Sequence, residues 1–238
     1  KKRVHAVPVA TLEKVFGIDH LSARQNGQTG SGLLLNLVYN PQGPSLPPSQ
    51  CSLEREYQKL LKEKYSIDLG CRHGDYSIEL AALNPNRNFI GIDIKAARIY
   101  NGAIRVNDLN LKNTAFIISR AESIREIFPQ NSIEEIYIPF PEPHVRRASQ
   151  NKRLISDNLL KIYKELLTDS GTIHFKTDNQ FLFDYALKVI SGFGCRILYS
   201  TENINDEENH SFHSGIKTSF EEHYIKEGRS IKYICFGF

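Results

Sequence analysis

The sequence predicts an α/β fold, a mostly parallel sheet of seven strands with helices on both faces and an antiparallel end. Three observations predict it. Short apolar runs alternate with segments of helical periodicity from residue 65 to about residue 190. The stretch YSIDLGCRHGDYSIELAALNPNRNFIGIDIKAA, residues 65–97, reads as strand, glycine turn, helix, strand and acid. Two further apolar runs, 195–200 and 230–236, are separated by a loop-rich stretch, which suits antiparallel pairing.

The elements follow in order. Residues 66–69 form the first strand, broken at Gly70. Gly70 and Gly74 bracket a tight turn, where glycine lets the backbone bend sharply and approach a ligand. Asp75 is placed to cap the next helix, and Asn84-Pro85 ends it. Residues 88–94 are the second strand, with Asp93 at its carboxyl end. A helix over 96–111, a strand over 115–118 and a short helix over 121–128 continue the alternation. Residues 133–138 are strand four, 151–167 a long helix, 172–176 strand five and 181–190 another helix.

The first 50 residues read as an irregular N-terminal extension, rich in Gly, Ser, Pro, Asn and Gln, with a short helix expected at 11–18. The domain proper is expected over 51–238, opened by a helix at 52–64 with Ser52 as its cap.

Of the 238 residues, 40% are apolar and 24% charged, as in soluble globular proteins. A net charge of +3 is too small to indicate a nucleic-acid partner by itself, so local clustering must carry that argument. Cys51, Cys71, Cys195 and Cys235 are far apart and form no C-x-x-C pair. They read as free thiols, with neither a disulfide framework nor a metal site expected. No apolar run reaches membrane-spanning length and no signal-peptide pattern opens the chain, so a cytoplasmic protein is expected.

Ligands of open parallel sheets bind beyond the carboxyl ends of the strands. An acid about 20 residues past a glycine turn can accept ribose hydroxyls, and Asp93 has that spacing. The pattern G-x-x-x-G favours a nucleoside over a dinucleotide. With Asp68 just before the turn, two carboxylates suit a cationic nucleoside such as S-adenosylmethionine.

Strand four runs into PFPEPHVRRASQNKR. Pro139, Pro141 and Pro143 stiffen this loop, which carries Glu142 and then Arg146, Arg147, Lys152 and Arg153. The acid would face the cofactor or the reacting base, and the cations would hold phosphate. The bland alternative is a proline loop leading into a solvated helix start, although basic residues there oppose the helix dipole. At the end of strand five, Lys176, Thr177, Asp178 and Asn179 either line the ligand rim or cap the next helix. Residues 218–221, TSFE, read as an exposed loop with an acid.

The segments IDLGCRHG, FIGIDIKAAR, FPEPHVRR…KRL, HFKTDN and TSFEEHYIKEGRSIKY, in this order, resemble the bacterial tRNA (guanine-N7)-methyltransferase family over residues 65–238. The resemblance implies a Rossmann-like class I methyltransferase fold. It also implies methyl transfer from S-adenosylmethionine to N7 of a guanine in the tRNA variable loop. On the same basis, Asp68, Gly70, Gly74, Asp93, Glu122 and Glu142 would bind the cofactor, with Glu142 also catalytic. Arg146, Asp178, Thr218 and Glu221 would contact the substrate. The partner would be tRNA, with no membrane and no metal, and the protein a monomer or homodimer. Two departures stand out. Arg72-His73 replaces the usual glycine of the turn, and Glu, His and Val replace Asp, Trp and Pro in the loop. They keep two rivals open, a tRNA-binding protein without catalysis and a methyltransferase for a small molecule.

Overall fold

The structure, a computed structural model, describes residues 64–206 and 215–238. The expected extension over 1–50, the helix at 11–18, Cys51 and all but the last residue of the helix at 52–64 lie outside the described residues.

The sheet has seven strands: β1 (Tyr65–Leu69), β2 (Asn88–Asp93), β3 (Thr114–Ile118), β4 (Ile133–Pro139), β5 (Leu167–Thr177), β6 (Arg196–Thr201) and β7 (Lys232–Gly237). Their order is β3-β2-β1-β4-β5-β7-β6. The first five run parallel, and β7 is antiparallel to both β5 and β6. The expected antiparallel end is therefore present. The chain runs from β1 outward to β3, then crosses back to β4 beside β1. That reversal opens a crevice above the carboxyl ends of β1 and β4, where open α/β sheets bind ligands.

The helices are α1 (Asp75–Leu83), α2 (Ala96–Asp108), α3 (Ile124–Ile127), α4 (Asp157–Leu166), α5 (Gln180–Phe193) and α6 (Ser219–Lys226). One sheet face is aliphatic. Ile67, Leu69, Ile90, Ile92, Ile136, Ile138, Ile173 and Phe175 pack there against residues of α3, α4 and α5. Strand side chains alternate between faces, so the neighbouring positions point the other way. There Phe116 packs with Ile78 of α1 and with Ile99 and Val106 of α2. Farther along the same face the lining is polar and aromatic. Tyr137 donates to Glu135 Oε2 at 2.7 Å, the His174 ring stacks on Tyr137 at 4.7 Å, and His174 Nδ1 shares a 2.7 Å hydrogen bond with the Tyr233 hydroxyl. Arg87 pairs with Glu135 at the margin of this network.

Three local expectations change. The long helix does not start at 151. Residues Arg147–Lys152 form a 3₁₀ turn, and α4 begins at Asp157 after Ser156. Asp75 caps nothing. Gly74 is the N-cap of α1, and Asp75 pairs with Arg105 of α2. Residues 218–221 are not an exposed loop, because Thr218 caps α6 and Glu221 lies in its first turn.

Candidate active site at the carboxyl edge of the sheet

The turn after β1 is built by three residues of positive φ: Gly70 at 75°, Arg72 at 56° and Gly74 at 76°. Gly70 and Cys71 donate backbone N–H groups to the Ile92 carbonyl at 2.7 and 3.1 Å, which ties the turn to β2. Gly74 is required on a second count. A Cβ there would stand 2.3 Å from the Phe116 ring. Phe116 thus fills the space under the turn, and Gly91 opposite it in β2 is equally confined, with a virtual Cβ 2.5 Å from the ring.

Asp93 ends β2 and faces this turn. Its Oδ2 accepts from the Arg72 N–H at 3.1 Å and its Oδ1 from the Lys95 N–H at 2.8 Å. Each oxygen keeps further acceptor capacity, so a ribose hydroxyl can still bind. Asp68 lies one strand over, 2% exposed. Its Oδ2 accepts from the Ser77 hydroxyl at 2.8 Å, whereas its buried Oδ1 has no hydrogen-bond partner among the described residues. Burial pushes the Asp68 carboxyl up to about 7, opposed by the Ser77 hydrogen bond. An orphaned buried acceptor beside a glycine turn fits a donor supplied by a bound molecule.

β4 leads into the proline loop at the same edge, and Phe140 donates its N–H to the Lys176 carbonyl of β5 at 2.9 Å. Phe140 and His144 both have positive φ, 49° and 42°. Glu142 projects from the loop with its side chain 77% exposed, 3.9 Å from His144 Nε2. Arg146 and Lys152 are exposed. Arg153 is not. It is 3% exposed, donates to the carbonyls of Pro143 at 3.1 Å and His144 at 3.0 Å, and stacks over Tyr185 at 4.1 Å. The expected basic group therefore divides into a solvent-facing part and an inward clamp on the loop.

Glu122 is exposed in the 3₁₀ turn after β3, at the carboxyl edge. Asp178, after β5, accepts from Arg229 at 2.8 Å, while its neighbour Asn179 caps α5 by accepting from the Leu182 N–H. Of the two roles expected for this segment, the cap belongs to Asn179, and Asp178 is engaged by Arg229. Thr218 caps α6 through the Glu221 N–H at 3.1 Å. The Glu221 carboxylate is spent on Lys176, whose Nζ stands 3.1 and 3.3 Å from its two oxygens and 3.0 Å from the Ile216 carbonyl. Both residues are buried, so neither Thr218 nor Glu221 stands open to solvent.

Two contributors escaped the sequence reading. Ser77 holds Asp68, and no local pattern marks it. Phe220 lies under the Arg72 guanidinium, 3.9 Å from Cζ to the ring centroid, and joins α6 to the turn. Cys71, Cys195 and Cys235 are free thiols, and burial pushes Cys71 well above its usual range. Among the described residues no cluster of three or more His, Cys, Asp or Glu is placed to hold a metal ion, and no helix is long and apolar enough to cross a membrane.

The geometry agrees with comparison to known proteins. A family model described as "Putative methyltransferase" matches residues 62–234. The tRNA (guanine-N(7)-)-methyltransferase of Christiangramia forsetii is 40% identical over 171 residues, covering 71% of this chain and 76% of that protein. The enzyme of the same name from Cytophaga hutchinsonii is 35% identical over 174 residues, 72% of this chain and 79% of that one. Among solved structures, a SAM dependent methyltransferase from Aquifex aeolicus superposes with a TM-score of 0.51 at 14% identity, over 92% of this chain and 98% of that one, a likeness of fold. With 40% identity across most of both chains, on a sheet of this strand order, the chain belongs to the tRNA (guanine-N7)-methyltransferase family.

Proposed function

We infer that this chain transfers a methyl group from S-adenosylmethionine to N7 of a guanine in the variable loop of tRNA. The observation that carries the reading is the glycine turn flanked by Asp68 and Asp93, on the same sheet edge as the proline loop bearing Glu142. Asp93 would hold the ribose hydroxyls, and the orphaned Oδ1 of Asp68 would accept from the ammonium of the donor's amino-acid tail. When bound, the sulfonium supplies an activated methyl group.

Guanine N7 has an exposed lone pair and needs no base before attack. The chain's task is to align that nitrogen with the methyl and to favour the positive charge that passes to the purine. Glu142 is the carboxylate available for the second task. Arg146 and Lys152, both exposed, would hold RNA phosphate and make binding steeply dependent on salt. Arg153 keeps the loop in place through its two carbonyl contacts.

Radiolabelled methyl transfer to unmodified tRNA, followed by nucleoside analysis, tests the reading. Label in 7-methylguanosine is expected, with turnover falling on Glu142→Ala. Label in another nucleoside overturns the reaction, and full turnover of Glu142→Ala overturns the role of that residue. Tight tRNA binding without any transfer would favour a protein that has lost catalysis.

A further inference from the structure

Arg72 occupies a backbone conformation that suits glycine, at φ 56° between two glycines that share it. A residue with a side chain is strained there, and strain of this kind is retained where a site gains from it. Its side chain is held. The guanidinium lies 3.9 Å over the Phe220 ring, while the backbone N–H is fixed on Asp93. Stacking covers one face of the guanidinium and leaves its in-plane fork of N–H donors free to meet a planar anion. Three other arginines near the site are engaged by protein groups, Arg153 by carbonyls, Arg229 by Asp178 and Arg105 by Asp75, while Arg98 stands 3.8 Å from Asp93. Among the described residues the Arg72 guanidinium has no ion-pair or hydrogen-bond partner.

We propose that Arg72, stacked on Phe220, is the receptor for the carboxylate of the methyl donor's amino-acid tail. The inference rests on the cofactor assigned above. Asp68 and Asp93 flank the same turn and would repel that carboxylate unless a cation stood beside them. Arg72 is the cation covalently part of the turn, and its fork matches a carboxylate in two parallel hydrogen bonds. Because Phe220 belongs to α6, a bound donor also ties the turn to the helix that carries Thr218 and Glu221.

Calorimetry on the full chain separates the possibilities, with S-adenosylhomocysteine and its decarboxylated analogue as probes and tRNA as the third titrant. Arg72→Gly suits the backbone at this position and should fold. It is expected to weaken S-adenosylhomocysteine about 10- to 100-fold, as for loss of a charged hydrogen-bond pair, and to leave the decarboxylated analogue and tRNA unchanged. Arg72→Lys, which keeps the charge without the fork, should recover only part of the loss. Unchanged affinity for S-adenosylhomocysteine overturns the proposal. Equal loss of both probes makes Arg72 structural, and loss confined to tRNA makes it a phosphate contact, so either also overturns it. If the unaltered chain binds neither probe, the cofactor reading falls and takes the proposal with it.

Discussion

Glu221→Ala should be among the most damaging single substitutions in this fold, although the residue is a carboxylate on a short helix. Lys176 is 3% exposed and Glu221 1%, and the closest Nζ–Oε distance is 3.1 Å. At an effective dielectric of about 20, opposite charges this close attract by roughly 5 kcal/mol, much of which offsets their desolvation. Removing the carboxylate leaves a buried ammonium with the Ile216 carbonyl as its remaining hydrogen-bond acceptor. The expected loss is about 3–5 kcal/mol at neutral pH. The pH dependence has a definite sign. Burial holds the Lys176 ammonium below its usual 10.5, with Glu221 opposing, so the substitution lowers it further. Lys176 of the folded variant then loses its proton at lower pH than that of wild type, so the deficit should shrink as pH rises from the variant's value to the wild type's, both below 10.5. Urea unfolding followed by circular dichroism, on variant and wild type at pH ~7 and ~10, measures both effects. The double variant Lys176→Met with Glu221→Leu removes both charges and should return to within about 1 kcal/mol of wild type or exceed it. A Glu221→Ala deficit below about 1 kcal/mol at neutral pH, or one that grows toward alkaline pH, would refute the argument.

Three further outcomes are expected. The Asp68 carboxyl is raised from 3.8 to about 7, so it contributes stability that is fully present below pH ~4 and lost as pH rises through ~7. Asp68→Asn should flatten that part of the stability profile, gain up to roughly 4 kcal/mol over wild type above neutrality and weaken S-adenosylhomocysteine, as unfolding curves and calorimetry will show. Gly91→Ala places a Cβ 2.5 Å from Phe116 and 2.9 Å from Cys71 Sγ, so it should cost about 1–3 kcal/mol in urea unfolding, and Phe116→Leu in the same chain should relieve part of the cost. Arg153→Ala frees the loop that bears Glu142. Turnover should fall about 100-fold with tRNA affinity little changed, and Arg153→Lys should not rescue it, because one ammonium cannot reproduce a planar fork stacked on Tyr185.

Much of the fold was legible because its signals are local. Apolar alternation marks a strand within a few residues, and Gly70 and Asn84-Pro85 punctuate the chain wherever they stand. Register then carries Asp93 to the end of β2, and Asp178 follows the last paired residue of β5, as the sequence placed them. The start of α6 was missed despite a readable signal. Thr218-Ser-Phe-Glu221 has the spacing of a capping box, and Thr218 does accept from the Glu221 N–H. The late start of α4 carried a weaker signal, Ser156 in the cap position and Asp157 in the first turn, which helical periodicity over 151–167 obscures.

The sequence by itself determined the alternation of strands and helices, the glycine turn, and the order in which the acids and the proline loop follow it. Only the tertiary structure decided which charges face inward. Arg153 and Lys152 are adjacent, and Glu221 and Glu222 are adjacent, yet one of each pair is buried and the other exposed. What separates them is a partner far along the chain, 45 residues away for Glu221. A charge can leave water only where such a partner awaits it, and no local pattern records that meeting.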